Sequence, residues 1–238
     1  MPSVMIKAIL FDLDDTLFSL SGCEAEALRC TLGSAGLLES LPADFVQRYV
    51  AISSGYWSAK AADDDTRATR AQIIELSWRD FLAGFDLDAS RAPELAKAFW
   101  AAFCASSALN PGARELVESL AGQYRLGMVT NGYSDSQRGR LAAVGWSDRF
   151  DPLLISEEVG VAKPDPRIFQ MALEQLALGA ENVLYVGDSL SHDREGCLRA
   201  GIRFCHYCPD PANAGGAPKC DYRICNLLDL EGLLRALA

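Results

Sequence analysis

Four carboxylates stand in two clusters far apart in the chain. Asp12 and Asp14 lie in the run Asp12-Leu13-Asp14-Asp15-Thr16, and Asp188 and Asp193 follow Gly187. Between the clusters come Thr130-Asn131-Gly132 and the pair Lys163-Pro164. Brought into one cleft, Asp12, Asp14, Asp188 and Asp193 would repel one another unless a cation offset their charge. Hard oxygen ligands with no soft ligand beside them suit Mg²⁺. Thr130 offers a hydroxyl, Asn131 a backbone N–H, and Lys163 a compact positive charge. Donors of this kind around a metal and an attacking carboxylate match a phosphoryl group. The chain has five lysines against seventeen arginines, so its habitual base is Arg. A Lys at this place hints that a point charge is wanted where a planar fork would not fit.

Each segment alone also has a plainer reading. The carboxylates of Asp12-Leu13-Asp14-Asp15-Thr16 could cap a following helix, and so could Asp188 and Asp193. Thr130-Asn131-Gly132 could be a turn. Lys163-Pro164 could be no more than an extended pre-proline residue. The four together say more. They occur in order, each at the end of an expected strand or the start of an expected helix.

The elements that must position them can be read from apolar spacing. Residues 4–11 are an apolar run with β-branched residues, the pattern of a buried parallel strand with functional groups at its C-terminal tip. Residues from about 20 to 105 are rich in Ala, Leu, Glu and Arg, and predict about four helices and no strands. Phe45, Tyr49 and Ile52 recur at helical spacing, as do Ile73, Ile74, Trp78 and Phe81. Asp65 or Thr66 would cap a helix there. After Asn110-Pro111-Gly112 the pattern alternates. Helix 113–122 precedes strand 125–130, helix 135–144 precedes strand 150–156, and Asp165 or Pro166 opens a helix to about 177. Strand 182–188, helix 191–201, strand 203–207 and helix 229–237 complete the chain. Residues 209–219, rich in Pro, Gly and Ala, read as a loop.

This order predicts an α/β fold, a Rossmann-like parallel sheet with helices on both faces, interrupted by an all-helical cap domain. Residues 1–18 and 106–238 would form the catalytic core, and 19–105 the cap. Strand C-termini share one edge of such a sheet, so the four segments would meet there.

Bulk properties narrow the partners. The net charge of −10 disfavours long nucleic acid. It leaves room for a small phosphorylated metabolite bound by local donors. The N-terminus lacks a basic region before its apolar run, and no stretch reaches the roughly 18–20 apolar residues of a membrane span. The expectation is a soluble cytoplasmic protein with no membrane partner, whose eight cysteines are reduced. Cys205, Cys208, Cys220 and Cys225 invite a zinc reading. Small buried thiols are the alternative, because positions 205 and 208 of a strand face opposite sides.

The segments resemble the haloacid-dehalogenase superfamily of phosphohydrolases. Its pattern is an apolar strand ending DxDxT, a strand ending in Thr or Ser, a later Lys, and a strand ending in Gly-Asp with a further Asp. Here these are Asp12, Asp14 and Thr16, then Thr130, Lys163, and Asp188 with Asp193. The resemblance covers essentially the whole chain, helical cap included. It implies Asp12 as nucleophile and Asp14 as general acid and then base, with the Asp14 backbone carbonyl on Mg²⁺. Asp12 and Asp188 would give carboxylates to the metal, with Asp193 in its inner or outer shell. Thr130, the Asn131 amide and Lys163 would hold the phosphoryl oxygens. Residues 130–169 further resemble bacterial pyrimidine 5′-nucleotidases of this superfamily, which implies a nucleoside monophosphate substrate. A sugar phosphate or phosphoglycolate is the alternative, and 2-haloacid dehalogenation or phosphomutase activity stand further off. A dehalogenase protonates no alkoxide, so Asp14 argues for phosphoryl transfer. Tyr56, Trp57 and Trp78 of the cap could stack a base or could be core.

Overall fold

The computed structural model describes residues 5–62, 69–210 and 220–237. They form two compact units, Met1–Leu20 with Ser107–Ala238, and Ser21–Ser106. The first unit begins with β1 (Ala8–Phe11), whose four residues are all fully buried. Successive strand side chains point to opposite faces, so β1 is covered on both sides.

The second unit holds α1 (Leu20–Ser34), α2 (Phe45–Ala62), α3 (Arg70–Ala83) and α4 (Ala92–Cys104). Thr69 caps α3 through a capping box with Gln72, in which each side chain bonds the other's backbone N–H. The Asp65 or Thr66 cap expected from sequence lies outside the described residues. The apolar spacing of α2 and α3 becomes an aromatic core. Trp78 is fully buried and meets Tyr49, Phe81 and Phe99 with ring centroids 5.4, 5.6 and 5.9 Å away. Trp78 is therefore a core residue of this unit and has no face left to stack a base. Tyr56 and Trp57 are half-buried, and Tyr56 donates its hydroxyl to Asp80 at 2.6 Å.

The first unit resumes with α5 (Ala113–Leu120), β2 (Arg125–Thr130), α6 (Ser134–Ala143), β3 (Leu153–Ile155), α7 (Ser156–Val159) and α8 (Pro166–Leu176). Then come β4 (Val183–Gly187), α9 (Glu195–Ala200), β5 (Arg203–Tyr207), β6 (Tyr222–Ile224) and α10 (Asp229–Leu237). The six strands form one sheet in the order β3-β2-β1-β4-β5-β6, every pairing parallel. The chain winds outward in both directions from β1 and β4. The crevice of such a sheet opens at the carboxyl ends of these central strands.

Three local differences from the sequence reading have physical causes. β6 was not expected, because three residues are too few to show a period; pairing with β5 makes it a strand. The strand expected over 150–156 is shorter, since Pro152 has no N–H to donate, although its carbonyl still accepts from Met128 at 2.7 Å. The helix expected over 191–201 opens with a widened π-type turn, Leu190–Arg194, which carries Asp193 inward. No helix among the described residues is long and apolar enough to cross a membrane. Cys205 and Cys208 are buried, and burial pushes the Cys205 thiol up to about 12, which disfavours the thiolate a metal would need.

Trp78→Ala should destabilise the helical unit by ~3–5 kcal/mol, the usual range for emptying an aromatic core site. Urea unfolding followed by far-ultraviolet circular dichroism measures it. A cost within the range of surface substitutions would contradict this account of the core.

Candidate active site

Asp12 is the first residue past β1, and its N–H still bonds Val186 of β4 at 2.9 Å. That ladder bond fixes the backbone at the centre of the sheet edge. Lys163, in the loop before α8, reaches back beneath it. Its Nζ donates to Asp12 Oδ1 at 2.6 Å, to Asp193 Oδ1 at 2.7 Å and to the Tyr185 hydroxyl at 3.1 Å. These three contacts use all three ammonium hydrogens. Tyr185 Oη in turn lies 2.8 Å from the Val129 carbonyl oxygen and 3.0 Å from Asp193 Oδ1.

Asp193 has no exposed surface, and its Oδ2 accepts from the Ser189 N–H at 3.0 Å. A Cβ on Gly187 would collide with that same carboxylate, so the glycine before Asp188 is required by the approach of Asp193. Asp188 stands at the mouth, half-buried. Its Oδ1 accepts from Thr16 Oγ1 at 3.4 Å, and its carbonyl lies 3.0 Å from His206 Nε2. Oxygens of Asp12, Asp188 and Asp193 lie within 4.8 Å of one another.

The electrostatics of this trio decide what it can hold. Burial, opposed by Lys163 and reinforced by Asp193 and Asp188, pushes the Asp12 carboxyl well above its ordinary range. Burial and then Asp193 push Asp188 to about 6. Burial alone would lower Lys163, but Asp12 and Asp193 outweigh it and keep the ammonium charged. Three carboxylates against one ammonium leave two negative charges uncompensated in a mostly buried site. One divalent cation balances them, and an all-oxygen set selects a hard one. The Asp193 oxygens already accept from Lys163, Ser189 and the Tyr185 hydroxyl. Asp12 Oδ2, by contrast, has no protein donor among the described residues.

The phosphate-side residues are drawn together too. Thr130 ends β2 and is fully buried, its Oγ1 accepting from Gln137 Nε2 at 3.1 Å. The Asn131 side chain clamps the backbone of Lys163 from both sides. Its Nδ2 donates to the Lys163 carbonyl at 3.0 Å, and its Oδ1 accepts from the Lys163 N–H at 2.8 Å. Gly132 has φ 155°, and a Cβ there would collide with Gln137. Asp14 faces a different set of partners. Arg140 NH1 and NH2 grip its two oxygens at 2.5 and 3.1 Å, and Gln137 Nε2 adds a third bond at 3.0 Å.

Asp12 and Asp193 thus share the Lys163 ammonium and an oxygen of Asp188 lies within 4.8 Å of theirs, so these four gather in one cluster. Thr130 and Asn131 join it through Gln137 and the Lys163 backbone. Tyr185, Gln137 and Arg140 were not found from sequence. Tyr185 sits in an apolar strand run, and Gln137 and Arg140 in a helix of polar residues that reads as a solvent face.

Residues 6–201 match the family model of haloacid dehalogenase-like hydrolases. The chain belongs to this family. It is an enzyme of the hydrolase class, and its curated relatives include phosphatases. It is 33% identical to pyrimidine 5′-nucleotidase YjjG of Escherichia coli over 95% of this chain and 96% of that one. It is 30% identical to a glyceraldehyde 3-phosphate phosphatase of Methanopyrus kandleri over 98% and 99%. Among solved structures, the HAD-hydrolase YfnB of Bacillus subtilis, bound to magnesium, superposes with a TM-score of 0.77 at 28% identity, covering 97% of this chain and 99% of that one.

Raising the Asp188 pKa has a consequence for stability. The folded form holds the proton more tightly than the unfolded form, whose value is 3.8. Stability from this group is therefore complete below about pH 4 and is lost as pH rises through about 6. Removing the carboxylate should help only above that window. Metal-free Asp188→Asn is expected to resist urea better than wild type at about pH 7, with the gain gone at about pH 4. An equal difference at both pH values would contradict this.

Proposed function

We propose that the chain is a magnesium-dependent phosphomonoesterase that forms an aspartyl-phosphate on Asp12. The single observation that carries this is the gathering of Asp12, Asp188 and Asp193 with Lys163 at the sheet edge. A nucleophile-grade carboxylate keeps one oxygen open beside an ammonium and two further acids. Asp12 and Asp188, with the Asp14 backbone carbonyl, would hold Mg²⁺. Asp193 acts behind them by holding Lys163. When bound, the ion supplies positive charge for the developing phosphoryl oxygens.

In the first half-reaction an Asp12 oxygen attacks phosphorus, and the bond from phosphorus to the ester oxygen breaks. The Asp14 carboxyl gives its proton to that leaving oxygen, so an alcohol departs. In the second, Asp14 takes a proton from water, whose oxygen attacks the same phosphorus. The bond to Asp12 breaks, giving inorganic phosphate and a free carboxylate. Thr130, the Asn131 N–H and Lys163 orient the phosphoryl oxygens. Asp14 is held by a buried Arg and Gln, partners that a reaction releasing halide would not call for.

A pyrimidine nucleoside 5′-monophosphate is the favoured substrate class, because the E. coli nucleotidase is the more similar of the two whole-length relatives, at 33% identity against 30%. The likeness to a triose-phosphate phosphatase over the whole chain supports a small sugar phosphate as second reading. We place the enzyme in the cytoplasm, where such metabolites are found and thiols stay reduced.

A phosphate-release panel of nucleotides, sugar phosphates and small acid phosphates at millimolar Mg²⁺ tests the substrate class. Turnover should be highest on pyrimidine monophosphates and vanish with a chelator. Equal turnover of sugar phosphates would remove the nucleotide reading. Asp12→Asn should abolish turnover, since an amide is a very poor nucleophile; a few per cent of residual rate would remove Asp12 from its role. Asp14→Asn should slow both half-reactions by at least ~10²-fold. Its Mg²⁺ affinity should stay near that of wild type, because the ligand there is a backbone carbonyl.

A further inference from the structure

Arg140 is among the most deeply buried charges of the sheet unit, its side chain 1% accessible, although α6 is otherwise a polar helix. A buried guanidinium is costly without a partner, and even a paired one adds little net stability compared with an apolar residue. Its partner is the carboxylate of Asp14. The two arginine nitrogens meet the two Asp14 oxygens, and the guanidinium lies over the Phe18 ring at 5.5 Å. Arg140 Nε also bonds the Ser136 carbonyl at 3.3 Å, and its NH2 donates to Gln137 Oε1.

Gln137 lies three residues earlier on the same helix face. Its amide nitrogen has two hydrogens and three acceptors, Asp14 Oδ2 at 3.0 Å, Thr130 Oγ1 at 3.1 Å and the Asn131 carbonyl at 3.0 Å. One amide thus joins the end of β1 to the end of β2. Both Asp14 oxygens are held from the α6 side, by groups that belong to neither the acidic trio nor the Lys163 cluster.

We infer that Arg140, with Gln137, is the positioning pair for Asp14. The pair fixes the carboxylate that moves protons, and leaves the attack of Asp12 on phosphorus to other residues. This rests on the phosphatase reading above. The consequence is selective. An alkoxide must be protonated as it leaves, whereas 4-nitrophenolate leaves without a proton. Loss of the pair should therefore harm reactions in proportion to their need for Asp14.

The test compares Arg140→Lys, Arg140→Met and Gln137→Met with wild type on glycerol phosphate and on 4-nitrophenyl phosphate. The variants should lower kcat on glycerol phosphate by ~10²-fold or more with KM little changed, as a misplaced proton donor does. The pre-steady-state burst of nitrophenolate should lose less than ~10-fold, followed by slow hydrolysis of the phosphoenzyme, because water activation also needs Asp14. Arg140→Lys, which keeps the charge and loses the fork, should fall between wild type and Arg140→Met. Should Arg140→Met fail to fold, the other two variants carry the comparison. A nitrophenolate burst slowed as much as turnover of the alkyl ester, a loss confined to KM, or no loss would each overturn the positioning role. If glycerol phosphate is not turned over, the fastest alkyl phosphate of the panel above takes its place; if wild type hydrolyses no member of that panel, the phosphatase reading fails and this role fails with it. If wild type is active and the two losses match, only the positioning role fails.

Discussion

A lysine ammonium under a sheet edge is unfavourable unless its hydrogens and its charge are both matched. Lys163 meets both demands through Asp12, Asp193 and the Tyr185 hydroxyl, and the rest of the site follows from that match. Asp12 is held by one oxygen only, so it is oriented without being used up. Asp193 is fully engaged, which makes it a support for Lys163 more than an open ligand. The shared charge is still negative after the lysine is counted. Burial first, and that residual charge after it, raise the proton affinity of Asp12 and Asp188, and the residual charge is what a divalent ion would remove.

The fold supplies this arrangement cheaply in sequence terms. In the order β3-β2-β1-β4-β5-β6, the two central strands end side by side, so Asp12 and the residues after Gly187 are neighbours by topology. β2 lies on the other side of β1 and brings Thr130 and Asn131. Lys163 comes from the chain between β3 and α8, and needs a separate anchor. The Asn131 side chain is that anchor, bonding both backbone groups of Lys163. A residue expected to serve only through its N–H thus has a second task that its type, Asn, is suited to perform.

Much of this was legible in the sequence, for identifiable reasons. β2 and β5 appear at the expected residues because each is an apolar run bounded by polar or turn residues. The gathering of Asp12, Asp188, Asp193 and Lys163 was legible because polar segments, each of which alone could be a cap or an extended pre-proline residue, occur in order at strand ends and helix starts. Tyr185 was not, because an aromatic in a buried strand has the same pattern whether or not its hydroxyl is bonded to a lysine. Gln137 and Arg140 were hidden by the opposite effect. A helix is expected to turn its polar residues to water, and here two of them turn inward to polar partners that periodicity cannot see. Trp78 shows the limit from the apolar side. Its helical spacing favoured core over base stacking without deciding it, and the surrounding Tyr49, Phe81 and Phe99 decide for core.

Under the proposed mechanism, the two acids at the end of β1 show how environment can divide labour between identical side chains. Asp12 is two residues from Asp14, yet one faces an ammonium shared with a second carboxylate and the other faces a guanidinium fork. A point charge leaves an oxygen of Asp12 unbonded, which is what an attacking group requires. A planar fork bonds both oxygens of Asp14 and sets its orientation, while Oδ1, with one bond among the described residues, keeps a lone pair for the proton it would move. The preference for Lys at position 163 and Arg at position 140 is therefore one argument applied twice. Exchanging the two bases would leave the total charge the same and give each carboxylate the partner suited to the other's work.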